Sequence, residues 1–355
     1  MKVRVVNTTI LMLIVVSLLT GVYVIFVNNQ LWLMTVHRIS SIGIMLVLPW
    51  KVVISLNSLK RGWDWGKFDR SWGLVVSVVL AALAIASTLF AFMWAFRLGP
   101  YLLWLYQTVL AWHWILALVL LVPLLVHVWR KWPKPRTEEF TSRRGLMRGG
   151  ALLLGSVAGW GIAEAIAQSR ATDEEPRRIT GSRGRGEFTG NDFPRTGEWV
   201  NPIDMDSWRF SINGAVASPL TLNYDELLTL PETEHIATLD CTLGWYTTQR
   251  WRGVALTDVL NEAGVEKGAV GFLLESVSGY RMPYTMAEAD KVLLCTHIGD
   301  EVLSHKHGYP VRAVALHRRG WFWVKWMAGV QVVTAMPDFS AIIAQIEEGK
   351  RDALG

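Results

Sequence analysis

The stretch LDCTLGWYTTQRWRGVALTDVL, residues 239 to 260, decides how the second half of this chain is read. It continues the run HIATLD, residues 235 to 240, whose alternation of apolar and polar residues predicts a strand ending at Cys241 and Thr242. Gly244 and Trp245 open the loop beyond it, so the Cys241 thiol is expected at a strand end, facing a pocket. Past Trp251, Arg252 and Gly253, the apolar positions Val254, Leu256, Val259 and Leu260 recur at helical spacing, with Thr257 as the expected N-cap. Strand, cysteine loop and short helix are read as one unit centred on Cys241.

That unit resembles the sulfite oxidase family of molybdopterin enzymes, in which a cysteine after a strand, then Gly-Trp and Trp-Arg-Gly-Val-x-Leu, supplies the one protein thiolate on molybdenum. The resemblance continues through WRFSINGAVASPLTLNYDELLTLP (208 to 231) and HGYPVRAVALHRRGWFWVKWMAGVQVV (307 to 333). It implies a mixed α+β, sulfite-oxidase-like domain, molybdopterin with molybdenum as cofactor, and Cys241 as catalytic metal ligand. It also implies a pterin pocket built from a His-Gly-x-Pro-x-Arg loop, with His307 and Arg312 binding the cofactor; a guanidinium fork suits phosphate and pterin oxygens. Trp245, Lys325 and Trp326 join this expected cofactor-binding set, as do Asn191, Asp192 and Phe193 on an arm at 190 to 194. The residues themselves leave two other readings open. One is a structural disulfide between Cys241 and Cys295, the only other cysteine. The other is a zinc site at His305 and His307.

Across 355 residues the chain is 51% hydrophobic with a net charge of +5, and the apolar excess lies in its first half, so two or more domains are expected. Runs at 8 to 27, 31 to 56, 72 to 96 and 102 to 129 are long enough, and poor enough in charge, to cross a bilayer as helices. Lys2, Arg4, Lys60, Arg61, Lys67, Arg70, Arg130, Lys131, Lys134 and Arg136 mark one side, whereas the connections 28 to 30 and 97 to 100 carry only Arg97. The N-terminus is therefore expected in the cytoplasm. Such a positive rim accounts for much of the basic balance, and no nucleic-acid partner is inferred.

Histidines inside apolar spans are uncommon and usually functional. His113 and His127 lie fourteen residues apart on the fourth run, about 21 Å along one helix face. The second run carries His37 and, fourteen residues on, Lys51. The two helix pairs therefore look like a diverged repeat, and they resemble small four-helix b-type cytochromes, where paired histidines ligate haem iron from both faces. The resemblance implies one haem b on His37 and His113. It leaves His127 as an incomplete metal ligand, because a lysine is an ammonium at neutral pH. The other reading is a plain anchor with hydrogen-bonded histidines.

The segment Ser142-Arg143-Arg144-Gly145-Leu146-Met147-Arg148 resembles a twin-arginine export signal, ahead of a fifth apolar run at 149 to 167. The two arginines also serve simply as positive-inside residues before a helix. Ala165-Ile166-Ala167 looks like a signal-peptidase site, although the uncleaved anchor is the expectation. The expected organisation is an all-α, four-helix transmembrane cytochrome b-like domain at 1–133, the twin-arginine segment and fifth helix at 134–168, a linker at 169–186, the oxidoreductase domain at 187–345 and a tail at 346–355. Within that domain WRFSING, AVGFLLESV and VRAVAL predict strands, and residues 224 to 230 and 257 to 262 predict helices.

The expected whole is a multi-pass protein of the cytoplasmic membrane with its catalytic domain on the periplasmic face. It would move an oxygen atom to or from a small oxyanion, sulfoxide or N-oxide, and exchange electrons with membrane quinone through the haem, with lipid around the bundle and a soluble redox partner as a further candidate. Arg250, Arg252, Arg281, Arg318 and Arg319 are candidates for holding an anion such as sulfite. Trp245, Tyr246 and Tyr280 suit a more neutral substrate, and the haem-bearing bundle tips the expectation towards a reductase. A sulfite oxidiser is the alternative, and a non-catalytic pterin-fold sensor or scaffold is the reading of another class.

Overall fold

The computed structural model describes residues 3–26, 31–62, 68–100, 102, 107–131, 136–171, 177–184, 188–194 and 200–337. Lys2, Lys67, Lys134, the connection 28 to 30 and the tail 346 to 355 fall outside them. The chain forms two compact units, one of Met1–Arg183 with Thr242–Gly244, the other of Gly184–Cys241 with Trp245–Gly355.

In the first unit α1 (Val3–Phe26) pairs with α2 (Leu31–Gly62), and α3 (Phe68–Ala95) pairs with α4 (Val109–Lys131). A short α5 (Glu138–Thr141) precedes α6 (Arg143–Ser169), which packs on α2. Five of these helices are long and apolar enough to cross a membrane. They are apolar all round: Leu19, Val78 and Leu125 are exposed, whereas Val6, Val24 and Val47 are buried. Polar side chains within them turn to the backbone or to each other. Thr20 Oγ1 donates to the Val16 carbonyl at 2.7 Å, and the Ser17 and Ser40 hydroxyls meet at 2.7 Å across α1 and α2. Small residues bring α6 close to α2, and a Cβ added at Gly159 would lie 2.8 Å from Ile42 Cγ2. Glu164 of α6 also pairs with Arg38 of α2 at 3.0 Å and with Arg177 at 3.2 Å.

Two helix starts differ from the hydropathy reading for a local reason. The fourth helix begins at Val109, not 102, because the Thr108 hydroxyl accepts from the Ala111 N–H at 3.0 Å and caps it. The last begins at Arg143, capped by Ser142 accepting from the Gly145 N–H, so Arg143 and Arg144 form its first turn.

The second unit contains β1 (Phe210–Gly214), β2 (Leu220–Leu222), α7 (Tyr224–Leu228), β3 (Glu232–Asp240), β4 (Trp245–Ala255), α8 (Leu256–Ala263) and β5 (Gly271–Ser276). It continues with β6 (Arg281–Thr285), β7 (Val292–Ile298), β8 (Glu301–Val302), β9 (Arg312–Ala315) and β10 (Met327–Val333). One sheet runs β2-β1-β10-β5-β6, with β10 parallel to β1 and the other pairs antiparallel. In the other, β3, β4, β7 and β9 pair antiparallel in that order, and β8 adds to β7. Phe210, Phe272, Trp251, Leu293 and Leu294 are fully buried. Each contributes about 1.5–3 kcal/mol relative to an exposed position. The chain is thus a helical bundle followed by a mixed α/β domain.

The residues after Cys241 depart from the expected loop and early helix. Trp245–Ala255 is an 11-residue strand, paired with β3 from Glu232↔Val254 to Asp240↔Tyr246. Its side chains alternate between buried and outward positions over most of its length, the period of a half-buried strand. At Gly253 the register against β7 shifts, and a Cβ there would lie 2.0 Å from the Leu294 carbonyl oxygen. The Trp-Arg-Gly triplet therefore forms a bulge that only glycine fits. Helix α8 starts at Leu256 with Ala255 as its N-cap, which leaves Thr257 inside the first turn and Val254 on the strand.

Candidate functional site

Strand β3 delivers Cys241 at its end. The Cys241 N–H donates to the Trp245 carbonyl at 2.9 Å, closing the turn into β4, and the thiol is buried and not in a disulfide. Arg319 braces this point: Nη2 donates to Asp240 Oδ1 at 3.2 Å and to the Cys241 carbonyl at 3.1 Å. Both members of that ion pair are buried, so removing either would strand a charge. Gly320 allows the approach, since a Cβ there would lie 3.0 Å from Leu239 Cδ1 and 3.3 Å from the Asp240 carbonyl oxygen.

Strand β9 sets Arg312 opposite Cys295 of β7. Its side chain is buried, Nη1 donates to the His307 carbonyl at 2.9 Å, and the Trp251, Trp323 and Phe193 rings stand 5.8, 5.8 and 5.9 Å from the guanidinium carbon. Burial lowers the Arg312 pKa to about 10, against the opposing pull of Cys295 and Cys241, so both sulfurs lie within its electrostatic reach. Among the described residues the buried Arg312 Nε and the indole N–H of buried Trp245 have no hydrogen-bond partner. Orphaned donors near a buried thiol match an acceptor-rich anionic ligand with a thiophilic metal. Cys295 is not in a disulfide either, so that alternative is not formed. Its thiol donates to the His297 carbonyl at 3.1 Å, and burial pushes its pKa up to about 12.

Of the remaining expected cofactor residues, His307 and Phe193 contact Arg312, and Asn191, Lys325 and Trp326 hold the turn around His305–His307. Buried His307 donates from Nε2 to the Phe193 carbonyl at 2.8 Å, accepts from Ser304 Oγ at 2.9 Å, and packs against the Phe193 ring with centroids 3.8 Å apart and planes tilted by 35°. Burial holds its pKa down near 4, in keeping with a neutral ring whose nitrogens are both engaged. Asn191 Nδ2 donates to Glu301 at 2.9 Å and to the Val302 carbonyl at 3.0 Å, and its Oδ1 accepts from the Ser304 N–H at 2.8 Å. Asp192 is exposed. Trp326 Nε1 donates to the His305 carbonyl at 2.8 Å, and the Lys325 ammonium lies 4.1 Å over the Trp326 ring. His305 Nε2 donates to the Val200 carbonyl at 2.8 Å, and among the described residues no group of three His, Cys, Asp or Glu is placed to hold a metal ion.

The candidate anion-binding arginines face carboxylates. Arg250 pairs with Glu234 at 3.7 Å and with Asp300, Arg252 with Glu232 at 3.1 Å, and Arg281 with Glu275 at 3.0 Å. Arg318 pairs with Glu288 at 2.6 Å, and Arg319 with Asp240. The Tyr280 hydroxyl donates to the Trp321 carbonyl at 3.0 Å.

Residues 197–339 match the family described as oxidoreductase molybdopterin binding domain. The chain is 30% identical over 144 residues to the uncharacterized oxidoreductase YuiH of Bacillus subtilis, a match covering 39% of this chain and 73% of that protein. The chain belongs to the molybdopterin-binding oxidoreductase family. This molybdenum oxidoreductase is also 26% identical over 241 residues to the protein-methionine-sulfoxide reductase catalytic subunit MsrP of Gluconobacter oxydans, covering 58% of this chain and 76% of that protein. Against human mitochondrial sulfite oxidase it is 30% identical over 178 residues, 41% of this chain and 32% of that protein. Its cofactor is molybdopterin with molybdenum, and the thiol and orphaned donors around Cys241 fit such a group.

The helical unit of this oxidoreductase brings together two of the three histidines singled out from the sequence. His37 of α2 and His113 of α4 stand with ring centroids 6.1 Å apart and planes at 78°. Their Nδ1–H groups donate to the Ser17 and Ser87 carbonyls, each at 2.8 Å. Lys51 and His127 line one cavity of about 380 Å³, where the Lys51 ammonium donates to Asn7 Oδ1 at 2.9 Å. Sequence reasoning missed Ser17 and Ser87, because a backbone acceptor leaves no side-chain signature. It also passed over Asn7, whose amide within an apolar run was a visible signal.

Proposed function

We propose that this oxidoreductase is a membrane-anchored reductase of S- or N-oxides. Its catalytic domain lies on the periplasmic side, and one b-type haem on His37 and His113 links it to membrane quinone. The direction rests on one observation: each of the five candidate anion-binding arginines has a carboxylate partner. A site without uncommitted arginines of this set suits a neutral oxide better than sulfite. The assigned organisation is the bundle at 1–133, the signal and fifth helix at 134–168, a linker at 169–186, the catalytic domain at 187–345 and a tail at 346–355.

When bound, the pterin-held molybdenum supplies oxygen-atom transfer coupled to a two-electron change at the metal. Cys241 is the protein ligand, its backbone fixed by Arg319. Arg312 Nε and the Trp245 indole N–H would donate to acceptor atoms of the pterin group. His307, Phe193, Asn191, Lys325 and Trp326 hold Arg312 and its loop in place, with Asp192 at the exposed edge of the arm.

The haem assignment is supported by the mirrored histidine environments. An imidazole that donates Nδ1–H to a carbonyl is oriented with Nε2 as its metal-binding atom. Two imidazoles on one metal, with N–metal bonds near 2 Å, stand about 6 Å apart centre to centre. The His37 and His113 rings have that separation, 6.1 Å.

The similarity to human sulfite oxidase supports a second reading, sulfite oxidation. Purified protein supplied with reduced methyl viologen is expected to reduce methionine sulfoxide or trimethylamine N-oxide. Ferricyanide-linked sulfite oxidation should be slower by about tenfold or more, the rate equivalent of about 1.4 kcal/mol of barrier. Faster sulfite oxidation would reverse the proposed direction.

A further inference from the structure

The bundle repeats one arrangement and then breaks it. In α1–α2 and again in α3–α4, a histidine of the second helix donates Nδ1–H to a serine carbonyl of the first. Fourteen residues further along α2 and α4 come Lys51 and His127, and between them the structure has a cavity of about 380 Å³ lined by both. Most of its wall is aliphatic, including Ile14, Leu48, Leu80 and Leu124. Among the described residues the Lys51 ammonium has one hydrogen-bond partner, Asn7 Oδ1 at 2.9 Å, which leaves two of its three donors for a ligand.

An occupant must dissolve among apolar helices, fit a chamber of ordinary ligand size and offer acceptor oxygens at one end. A second haem would need a lone-pair donor opposite His127, and an ammonium has none. A lipid phosphate would place a full charge in an aliphatic wall against one cation already shared with Asn7, a costly burial. A neutral carbonyl takes the same donors without that cost.

We infer that this cavity binds the head group of a membrane quinone, with a ring carbonyl accepting from Lys51. The inference rests on the electron route proposed above and adds its site. The test uses the full chain in lipid nanodiscs, with short-chain azido-benzoquinone and azido-naphthoquinone as photolabels, decyl-ubiquinone as competitor and duroquinol as donor to the haem. Label is expected in peptides covering residues 7–14, 48–56, 77–85 and 120–128, the segments that line the cavity. Lys51→Met should weaken competition by decyl-ubiquinone about tenfold, the loss expected for a hydrogen bond from a charged donor. Ala81→Phe fills the chamber while leaving the Lys51 ammonium in the chain and should also abolish labelling, so the idea does not hang on one variant. Labelling elsewhere while duroquinol still reduces the haem overturns the site and leaves the route standing. Absence of both labelling and quinol-driven reduction overturns the route and the site together. Two haems per chain, or a co-purified phospholipid that blocks labelling, would assign the cavity to another occupant and overturn the inference.

Discussion

Cys295 is buried, donates its S–H to the His297 carbonyl and has its pKa pushed up to about 12, so it remains a thiol. Cys241 sits at a strand end with its backbone fixed from two sides, by Trp245 and by Arg319. The expected outcome of Cys241→Ser is a folded protein whose turnover falls by about a hundredfold or more, because a hydroxyl is a much poorer ligand for molybdenum than a thiolate. Steady-state assays beside circular dichroism check this, and turnover near wild type would remove Cys241 from the metal. His307 carries a second expectation. Its pKa is near 4 in the fold against 6.5 for the free imidazole. The unfolded chain therefore takes up the proton first. The stability His307 contributes is complete above about pH 6.5 and is lost as pH falls from there through 4, by on the order of 3 kcal/mol. Melting temperatures across that range should fall in the wild type and fall less in His307→Gln; a flat wild-type profile would contradict the assignment. The motif residues could be singled out because their types and spacing are unusual. The Arg319–Asp240 pair was not, since it forms only when residues 79 positions apart meet.

At the scale of elements, the strand into Cys241 and the long apolar helices were readable because period and length are local properties. Strand β4 was misread for an equally local reason. Val254 counts with Leu256, Val259 and Leu260 as helical, while the pairing that keeps it on the strand comes from β3 and β7. The mirrored helix hairpins carry the third expectation. If His37 and His113 share one haem, His37→Ala and His113→Ala should each remove the low-spin b-type absorbance. His127→Ala should retain it, because its counterpart on α2 is Lys51, held by Asn7. Pyridine haemochrome titration of the three variants decides the matter; loss of haem in His127→Ala would place the iron elsewhere.

For the whole molecule, five helices long and apolar enough to cross a membrane have a parity consequence. If all five span, the N-terminus and the molybdopterin domain lie on opposite sides. The cations choose which side is which: Arg4, Arg130, Arg136, Arg143 and Arg144 fall at ends that parity puts together, whereas the connection 97 to 100 carries only Arg97. A fluorescent-protein fusion after Arg136 should therefore glow in the cytoplasm, and an alkaline phosphatase fusion after Met336 should be active outside. Replacing Arg143 and Arg144 together by Lys bears on the export route separately from the topology. Lysine keeps the positive rim, so orientation should hold while the domain fails to cross; it would then cross normally only if the twin-arginine resemblance were incidental. The reverse pattern, phosphatase active after Arg136 and inactive after Met336, would put the molybdopterin domain in the cytoplasm. In that pattern too a haem on His37 and His113 would lie toward the face that carries the catalytic domain, because five spans put the starts of α2 and α4 on the same side as the chain after α6.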